Sequence, residues 1–168
     1  MRRRTGVALL LSRRSSAPAH PSALRVLFCM MLVAVLASIA PGGAARAERT
    51  PSPPGAEEYI IWPPDGAVIH GGKLWVRMGL RNMGVCPKGI AIPNTGHHHL
   101  LIDTDLPPLD QEIPSDRQHL HFGAGETDAR IELPPGKHTL QLILGDHNHV
   151  PHVPPVYSKK ITITVLKD

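Results

Sequence analysis

Histidine is the residue type in this chain that is most able to do chemistry, because ten of the eleven histidines follow residue 47 and most of these are clustered. Neutral imidazole is the commonest side-chain ligand for Zn, Cu, Ni and Fe in proteins, and it binds copper most tightly among the divalent ions. The clusters therefore predict a divalent metal site, with copper or zinc as the expected ion. The candidate ligands are His97, His99, His119, His121, His147, His149 and His152.

The spacing of the histidine pair at 119 and 121 indicates a strand that presents both rings on one face. Residues two apart on a strand point to the same side of the sheet. His119 and His121 would then project together, whereas Leu120 and Phe122 would face the core. We expect these two rings to share one ion.

The triplet His97-His98-His99 and the histidine-rich loop Asp146 to His152 supply further candidate ligands. Strand alternation pairs His97 with His99 and leaves His98 on the opposite face, where we expect it to be buried and hydrogen-bonded. The loop from Asp146 to His152 follows a predicted strand and brings further imidazoles. Its carboxylate would orient them through a hydrogen bond. A strand-paired site covered by this loop is the simplest geometry.

Two other classes of function remain open beside metal binding. The histidines could instead form a structural network that organises loops for a protein or small-molecule partner. A metal-dependent hydrolase or oxidase would need only an open coordination position on the same ion. Recognisable catalytic parts are missing, because the sequence has no Ser or Cys nucleophile motif, no Gly-rich phosphate loop and no H-E-x-x-H helix. We therefore expect a binding module and assign no catalytic residue.

The elements that position these histidines are expected to be strands. Short alternating or β-rich runs are separated by Pro and Gly turns, and the runs are 58–62, 73–81, 97–103, 117–122, 127–133, 138–144 and 157–166. About seven strands in this length predict an all-β, immunoglobulin-like antiparallel sandwich. The long connections 82–96 and 104–116 are expected to carry function.

The first 47 residues read as an export signal. They contain seven arginines and no acidic residue, an apolar run from Leu24 to Ile39, and small residues before a cleavage site after Ala47. The apolar run is shorter than the roughly 20 residues that a membrane-spanning helix needs. We therefore expect a periplasmic or secreted protein with no membrane span in its mature part, binding a metal ion and working with a periplasmic protein partner.

The composition after the signal excludes a nucleic-acid-binding footprint and internal disulfides. From Glu48 onward 11 Lys and Arg stand against 14 Asp and Glu, a formal net charge of −3 with histidine neutral. Cys86 is then the only thiol, and we expect it to be a buried small hydrophobe. Residues 48–58 have the Pro-rich composition of a linker, which leaves one domain over 59–168.

Four blocks of the sequence are similar to a known bacterial family. The blocks are Pro93–Asp103, Gln118–Gly123, Leu133–Leu142 and Gly145–His152, and together they contain most of the clustered histidines. They resemble the family catalogued as domain of unknown function 4399, over roughly Tyr59 to Val165. The resemblance implies a secreted or periplasmic one-domain protein, and it implies no particular activity.

Overall fold

The computed structural model describes residues 49–167, and this part of the chain contains nine β-strands and no helix. The export signal and its cleavage site lie outside the described residues. The strands are β1 (Glu57–Trp62), β2 (Val68–His70), β3 (Lys73–Arg81), β4 (Gly84–Val85), β5 (Thr95–Ile102), β6 (His119–His121), β7 (Asp128–Glu132), β8 (Gly136–Gly145) and β9 (Ile161–Leu166). With no helix among these residues, none is present that could cross a bilayer.

Two sheets form the architecture. The smaller has the strand order β1-β3-β7, and the larger has the order β2-β9-β8-β5-β4 with β6 also paired to β5. Pairing is antiparallel except where the short strands β2 and β4 lie parallel to β9 and β5. The predicted runs correspond to seven of the nine strands. The remaining two, β2 and β4, are three and two residues long and too short to show a period.

The core lies between the two sheets. Alternation along β3 buries Leu74, Val76 and Met78 on one face and leaves Trp75 54% exposed on the other. These three side chains pack in one cluster with residues of the larger sheet, including Leu100 of β5. Because apolar faces of two sheets are buried against each other, the predicted all-β immunoglobulin-like sandwich is confirmed.

The outer face of the larger sheet carries a second, smaller apolar cluster. Leu101 of β5 and Ile143 of β8 are buried there against Ile113, with Leu106 and Leu109 packed beside them. The connection 104–116 therefore lies over the outer face of β5. Odd-numbered residues of β5 point to this side, so His97 and His99 lie beneath the same cover.

The segment that follows residue 48 is joined to the domain. The Ser52 amide donates to the Val153 carbonyl, and the Val153 amide donates to the Thr50 carbonyl, each at 3.0 Å. The Arg49 guanidinium donates to the carbonyl oxygens of Pro151 and His152. The linker predicted over 48–58 is thus tied to 150–154 in its first part, and its last two residues begin β1. The proline-rich composition predicted a linker, but the backbone of Thr50 and Ser52 is hydrogen-bonded to Val153, about 100 residues further along the chain.

Candidate metal centre

Three histidines converge on the outer face of the larger sheet. Each of His97, His99 and His121 offers one ring nitrogen, and these nitrogens lie within 4.8 Å of one another. His97 and His99 share a face of β5, and His121 of β6 lies directly opposite His99 in the antiparallel register. Two nitrogens bonded to one ion at 2.0–2.1 Å are about 3.4 Å apart in tetrahedral geometry and at most about 4.2 Å apart, so the widest separation would close by roughly 0.6 to 1.4 Å.

A fourth histidine reaches the group from the loop after β8. The ring centroid of His149 lies 4.6 Å from that of His121, 5.0 Å from that of His97 and 6.0 Å from that of His99. His149 has a φ of 63°, in the left-handed region that non-glycine residues seldom occupy. Such backbone conformations tend to occur where a side chain must be held for function. We name these four residues the histidine cluster.

Five ring nitrogens of the cluster are buried without hydrogen-bond partners. Both nitrogens of His97, Nδ1 of His99, and Nε2 of His121 and of His149 are buried without one. A buried polar atom left unpaired costs about 1–3 kcal/mol, so five around one point need an explanation. A metal ion would take one nitrogen from each ring and so satisfy four of the five, because each neutral ring has one nitrogen without a proton that offers a lone pair. The residues present therefore fit a divalent ion that prefers nitrogen ligands.

The surroundings hold these rings in the neutral form that coordination requires. Burial, followed by repulsion from the neighbouring rings of His97, His121 and His149, lowers the pKa of His99 to about 2. Burial and the rings of His121 and His149 lower the pKa of His97 to about 4. The pKa of His121 is also lowered, mainly by burial. At neutral pH no proton therefore competes with an ion at these three rings.

A cavity of about 370 Å³ lies beside the cluster and reaches the surface. Its lining comprises Lys88, His99, Glu112, Ile113, Pro114, Ser115, His121 and His149. The two long connections thus supply most of the wall, as their length predicted. The individual residues Lys88 and Glu112 were not predicted, and loop length was the only sequence signal for them.

Glu112 holds one of the cluster rings. Its Oε1 accepts a hydrogen bond from Nδ1 of His149 at 3.0 Å. A proton on Nδ1 leaves Nε2 of the same ring as the lone-pair donor, and Nε2 is the buried nitrogen without a partner. A carboxylate behind a ligating histidine is the usual arrangement at metal sites, because it fixes the tautomer and raises ligand basicity. The Ile113 amide also donates to the His149 carbonyl at 2.8 Å, so connection 104–116 is tied to the loop.

Two glycines make room for the rings. A Cβ on Gly145 would lie 2.7 Å from Cε1 of His99, and a Cβ on Gly123 would lie 2.5 Å from Nε2 of His121. Neither glycine has a positive φ. Both are therefore needed for space at the cluster and not for backbone conformation.

The structure does not bring three of the predicted ligands to the cluster. His119 lies opposite Leu101, two residues along β6 from His121, and its Nδ1 is 2.9 Å from Oδ1 of Asp116. The expected pairing of His119 with His121 on one ion is therefore corrected, because sharing a strand face does not make two rings converge.

The other two lie in the loop that carries His149. His152 is fully buried, and its Nε2 donates to the Thr95 carbonyl at 3.1 Å. Nε2 of His147 lies 3.0 Å from Nδ2 of Asn148. Their spacing from His149 was compatible with convergence, but the turn at residues 146–150 directs only His149 to the strand rings.

Asp146 and His98 make their hydrogen bonds away from the cluster. The Asp146 carboxylate accepts from the Thr50 hydroxyl at 2.7 Å and from the amides of Asn148 and Val150. Its hydrogen bonds hold the loop backbone and not the imidazoles, which corrects the expectation, although its charge acts in the direction that raises the pKa of His97. His98 points to the opposite face, as predicted, where its Nδ1 lies 2.6 Å from Oε1 of the fully buried Glu58.

The family follows from a match over most of the folded region. The family model described as domain of unknown function (DUF4399) matches residues 76–166, more than half of the chain. The chain belongs to this family. The matched range contains all four members of the histidine cluster and Glu112, so the DUF4399 domain carries the candidate site within its own boundaries. No curated protein matches the chain.

Two solved structures are similar to the DUF4399 domain at low sequence identity. The fibronectin(III)-like modules of Clostridium thermocellum CbhA are 12% identical with a TM-score of 0.38, covering 66% of this chain and 96% of theirs. The endo-beta-1,4-mannanase from Thermotoga petrophila is 16% identical with a TM-score of 0.40, covering 67% of this chain. The match spans 20% of the mannanase.

Proposed function

We propose that the DUF4399 domain binds a divalent transition metal ion, copper or zinc, through His97, His99, His121 and His149. The observation that carries the proposal is the convergence of buried ring nitrogens without partners on one point of the outer sheet face. The protein then stores, buffers or hands on the ion in the periplasm or outside the cell, a location that we propose from the export signal predicted over residues 1–47.

The contrast with the other histidines favours a metal over a structural network. His138 is engaged at both nitrogens, with Nδ1 2.7 Å from Asp103 Oδ2 and Nε2 2.8 Å from the Pro134 carbonyl. His119 and His152 also use one nitrogen to hold a neighbouring loop. Each of these histidines has at least one hydrogen-bond partner, whereas the unpaired nitrogens of the cluster belong to four rings packed against one another.

The donor set indicates the class of ion. All four ligands are imidazoles, which suit Zn, Cu and Ni, and hard oxygen-seeking ions such as Mg and Ca are disfavoured. Cys86 is buried, with its Sγ 3.8 Å from the Ile90 carbonyl, and it is not a member of the group that could hold an ion. A thiolate-rich site of the kind that selects Cu(I) is thus absent from residues 49–167.

The position of the cluster suits an ion that must enter and leave. His99, His121 and His149 line the cavity that reaches the surface, whereas His97 is completely buried behind them. An ion held by four rings would be retained by the buried pair on β5 and approached through the loops. Exchange with a partner protein would occur at this opening, which supports buffering or delivery.

Metal content and calorimetry test the proposal. We expect residues 48–168, purified without an affinity tag, to bind one Cu(II) or Zn(II) per chain. Replacing His97 and His99 together with Ala should abolish binding. Replacing the exposed His70 with Ala should leave binding unchanged. Absence of stoichiometric binding by the parent chain, or equal binding by the double variant, would overturn the proposal.

A further inference from the structure

Lys88 extends along the metal centre without an acidic partner. Its Cδ and the His121 ring both pack against Gly123, since a Cβ at that glycine would lie 3.1 Å from Cδ and 2.5 Å from Nε2 of His121. The Lys88 amide donates to the Gly123 carbonyl at 2.9 Å, which fixes the backbone there. The ammonium forms no ion pair with any carboxylate in residues 49–167, although Lys160 does.

The charges around the cavity are unbalanced once an ion is bound. A divalent cation at the cluster and the positively charged Lys88 side chain would both border a space of about 370 Å³. Glu112 is the acidic residue of the lining and already accepts from Nδ1 of His149, and Glu126, outside the lining, also acts on His121 by its charge. These two carboxylates carry less negative charge than the positive charge of a divalent ion and Lys88 together. Two positive groups that border the same cavity repel each other, and solvent weakens this repulsion because Lys88 is exposed. An anion placed between them removes that repulsion.

The size and polarity of the cavity limit what this anion can be. Small-molecule sites are typically about 300–1,000 Å³, so this cavity is at the small end. Ile113 and Pro114 supply an apolar wall, and the Ser115 side chain adds a hydroxyl to the lining. An oxyanion of a few heavy atoms fits, with one oxygen on the ion and another toward Lys88.

We infer that the metal centre takes a small oxyanion as an additional ligand, bound between the ion and the Lys88 ammonium in the cavity. This inference rests on the proposed function, because the anion needs the ion as its first partner. Carboxylates, bicarbonate and phosphate share the chemistry. Coupled binding of this kind makes the retention of the ion depend on the anions present, since each ligand raises the affinity of the other.

Spectroscopy of the copper-loaded protein tests the inference. The untagged chain from residue 48 is loaded with Cu(II) in a non-coordinating buffer of low ionic strength. Sodium acetate, sodium bicarbonate and sodium phosphate are then titrated separately while the Cu(II) visible band and electron paramagnetic resonance spectrum are followed. We expect at least one anion to shift both spectra saturably, and the arm with the lowest Kd identifies the class of oxyanion.

Variants of Lys88 show whether the ammonium takes part. K88Q should weaken binding of that anion about tenfold, the loss of one charge-assisted hydrogen bond, and K88R should restore it in part. Lys137, exposed on β8 and outside the cavity lining, supplies the matched control K137Q, which should bind the anion as the parent does.

Each failure has a different meaning. If the parent chain takes up neither Cu(II) nor Zn(II), the proposed function itself fails. If it takes up Zn(II) alone, the same three anions are titrated into the Zn(II)-loaded chain by calorimetry, and no binding would overturn the anion site. If Cu(II) is bound but its spectra do not respond to any of the three anions, or if K88Q binds the anion as tightly as the parent, the anion site is wrong and the metal site stands.

Discussion

His99 and His121 face each other across the pairing of β5 and β6, with ring centroids 5.0 Å apart and ring planes within 26° of parallel. β6 is only three residues long, and β5 lies between β6 and β8. Through these two rings an ion would join a short edge strand to a central strand of the sheet. The pairing of β6 should therefore be firmer in the metal-bound domain than in the free one.

Two histidines of β6 should differ in their effect on metal binding. His121→Ala removes a ligand and should weaken Cu(II) and Zn(II) binding by more than the 10–100-fold that supporting residues cost. His119→Ala removes a ring held by Asp116 and should leave affinity within about twofold. Isothermal titration of both variants measures this. Equal losses of metal affinity in the two variants would show that His119 is also a ligand.

Glu112 should be needed for affinity though it touches no ion. Glu112→Gln removes the carboxylate that accepts from Nδ1 of His149, so we expect a 10–100-fold weaker metal complex with little change in stability. Glu132→Gln, at an exposed position of β7, is the control. Competition with a chromophoric chelator measures both affinities. A parent-like affinity for the Glu112 variant would show that the loop ring does not bind the ion.

Adding one methyl group at Gly123 should weaken metal binding without preventing the domain from folding. Gly123→Ala places a Cβ against the far end of the His121 side chain, which can turn away, so the domain should still fold. Turning away removes the ring from the cluster, and metal affinity should fall at least tenfold. Gly84→Ala meets Thr95 at an ordinary 3.4 Å and serves as the control. Thermal unfolding with and without Zn(II) gives both readouts, and an unchanged Zn(II)-induced shift in Tm for Gly123→Ala would contradict the expectation.

The buried pair between the sheets should matter for stability. Glu58 and His98 are both fully buried, and Glu58→Ala leaves His98 without its partner, at a cost of about 3 kcal/mol in the free energy of unfolding. Glu57→Ala, next to it on β1, removes only an exposed ion pair with Arg81 and should cost less than about 1 kcal/mol. Urea denaturation compares them, and similar midpoints would contradict the assignment.

Acid should destabilise the metal-free domain well above the range where carboxylates titrate. His97 and His99 have folded pKa values of about 4 and about 2 against 6.5 for an ordinary histidine. Below pH 6.5 the unfolded chain therefore binds protons that the folded domain does not, and stability falls as pH falls. Each histidine contributes up to about 1.4 kcal/mol per pH unit.

Buried Glu58 partly offsets the loss of stability at low pH. Burial raises the pKa of Glu58 to about 7, so the folded domain holds one proton that the unfolded chain loses above about pH 4.5. Its effect between pH 5 and 6 equals that of one histidine and leaves a net loss. Urea midpoints at pH 6.5 and 5 should drop in the parent and drop less in a His97→Asn, His99→Asn variant. Equal midpoints in the parent at the two pH values would refute the assigned shifts.

Alternation along the strands predicted which histidines share a face of the sheet. It could not predict which residues pair across neighbouring strands. Period-two spacing was enough to place His97, His99 and His121 on the outer face, because that relation is local. The convergence of His121 with β5 depends on which residues pair across strands, and the same strand positions His119 opposite Leu101. Glu112 lies in a connection with no regular pattern, so its contact with His149 could be seen only in three dimensions.

The conformation of the loop that carries His149 depends on contacts made by Arg49 and Thr50. Thr50 holds Asp146, and Asp146 holds the amides of Asn148 and Val150. Groups linked in this way open together, so amide hydrogen exchange at Val150 and Val153 should report one common free energy of opening. Proteolytic trimming of four residues, 49–52, would leave every strand in place and speed that exchange. The lifetime of a bound ion would then depend on residues 49–52, although these lie almost 100 residues before His149, the ligand carried by the loop.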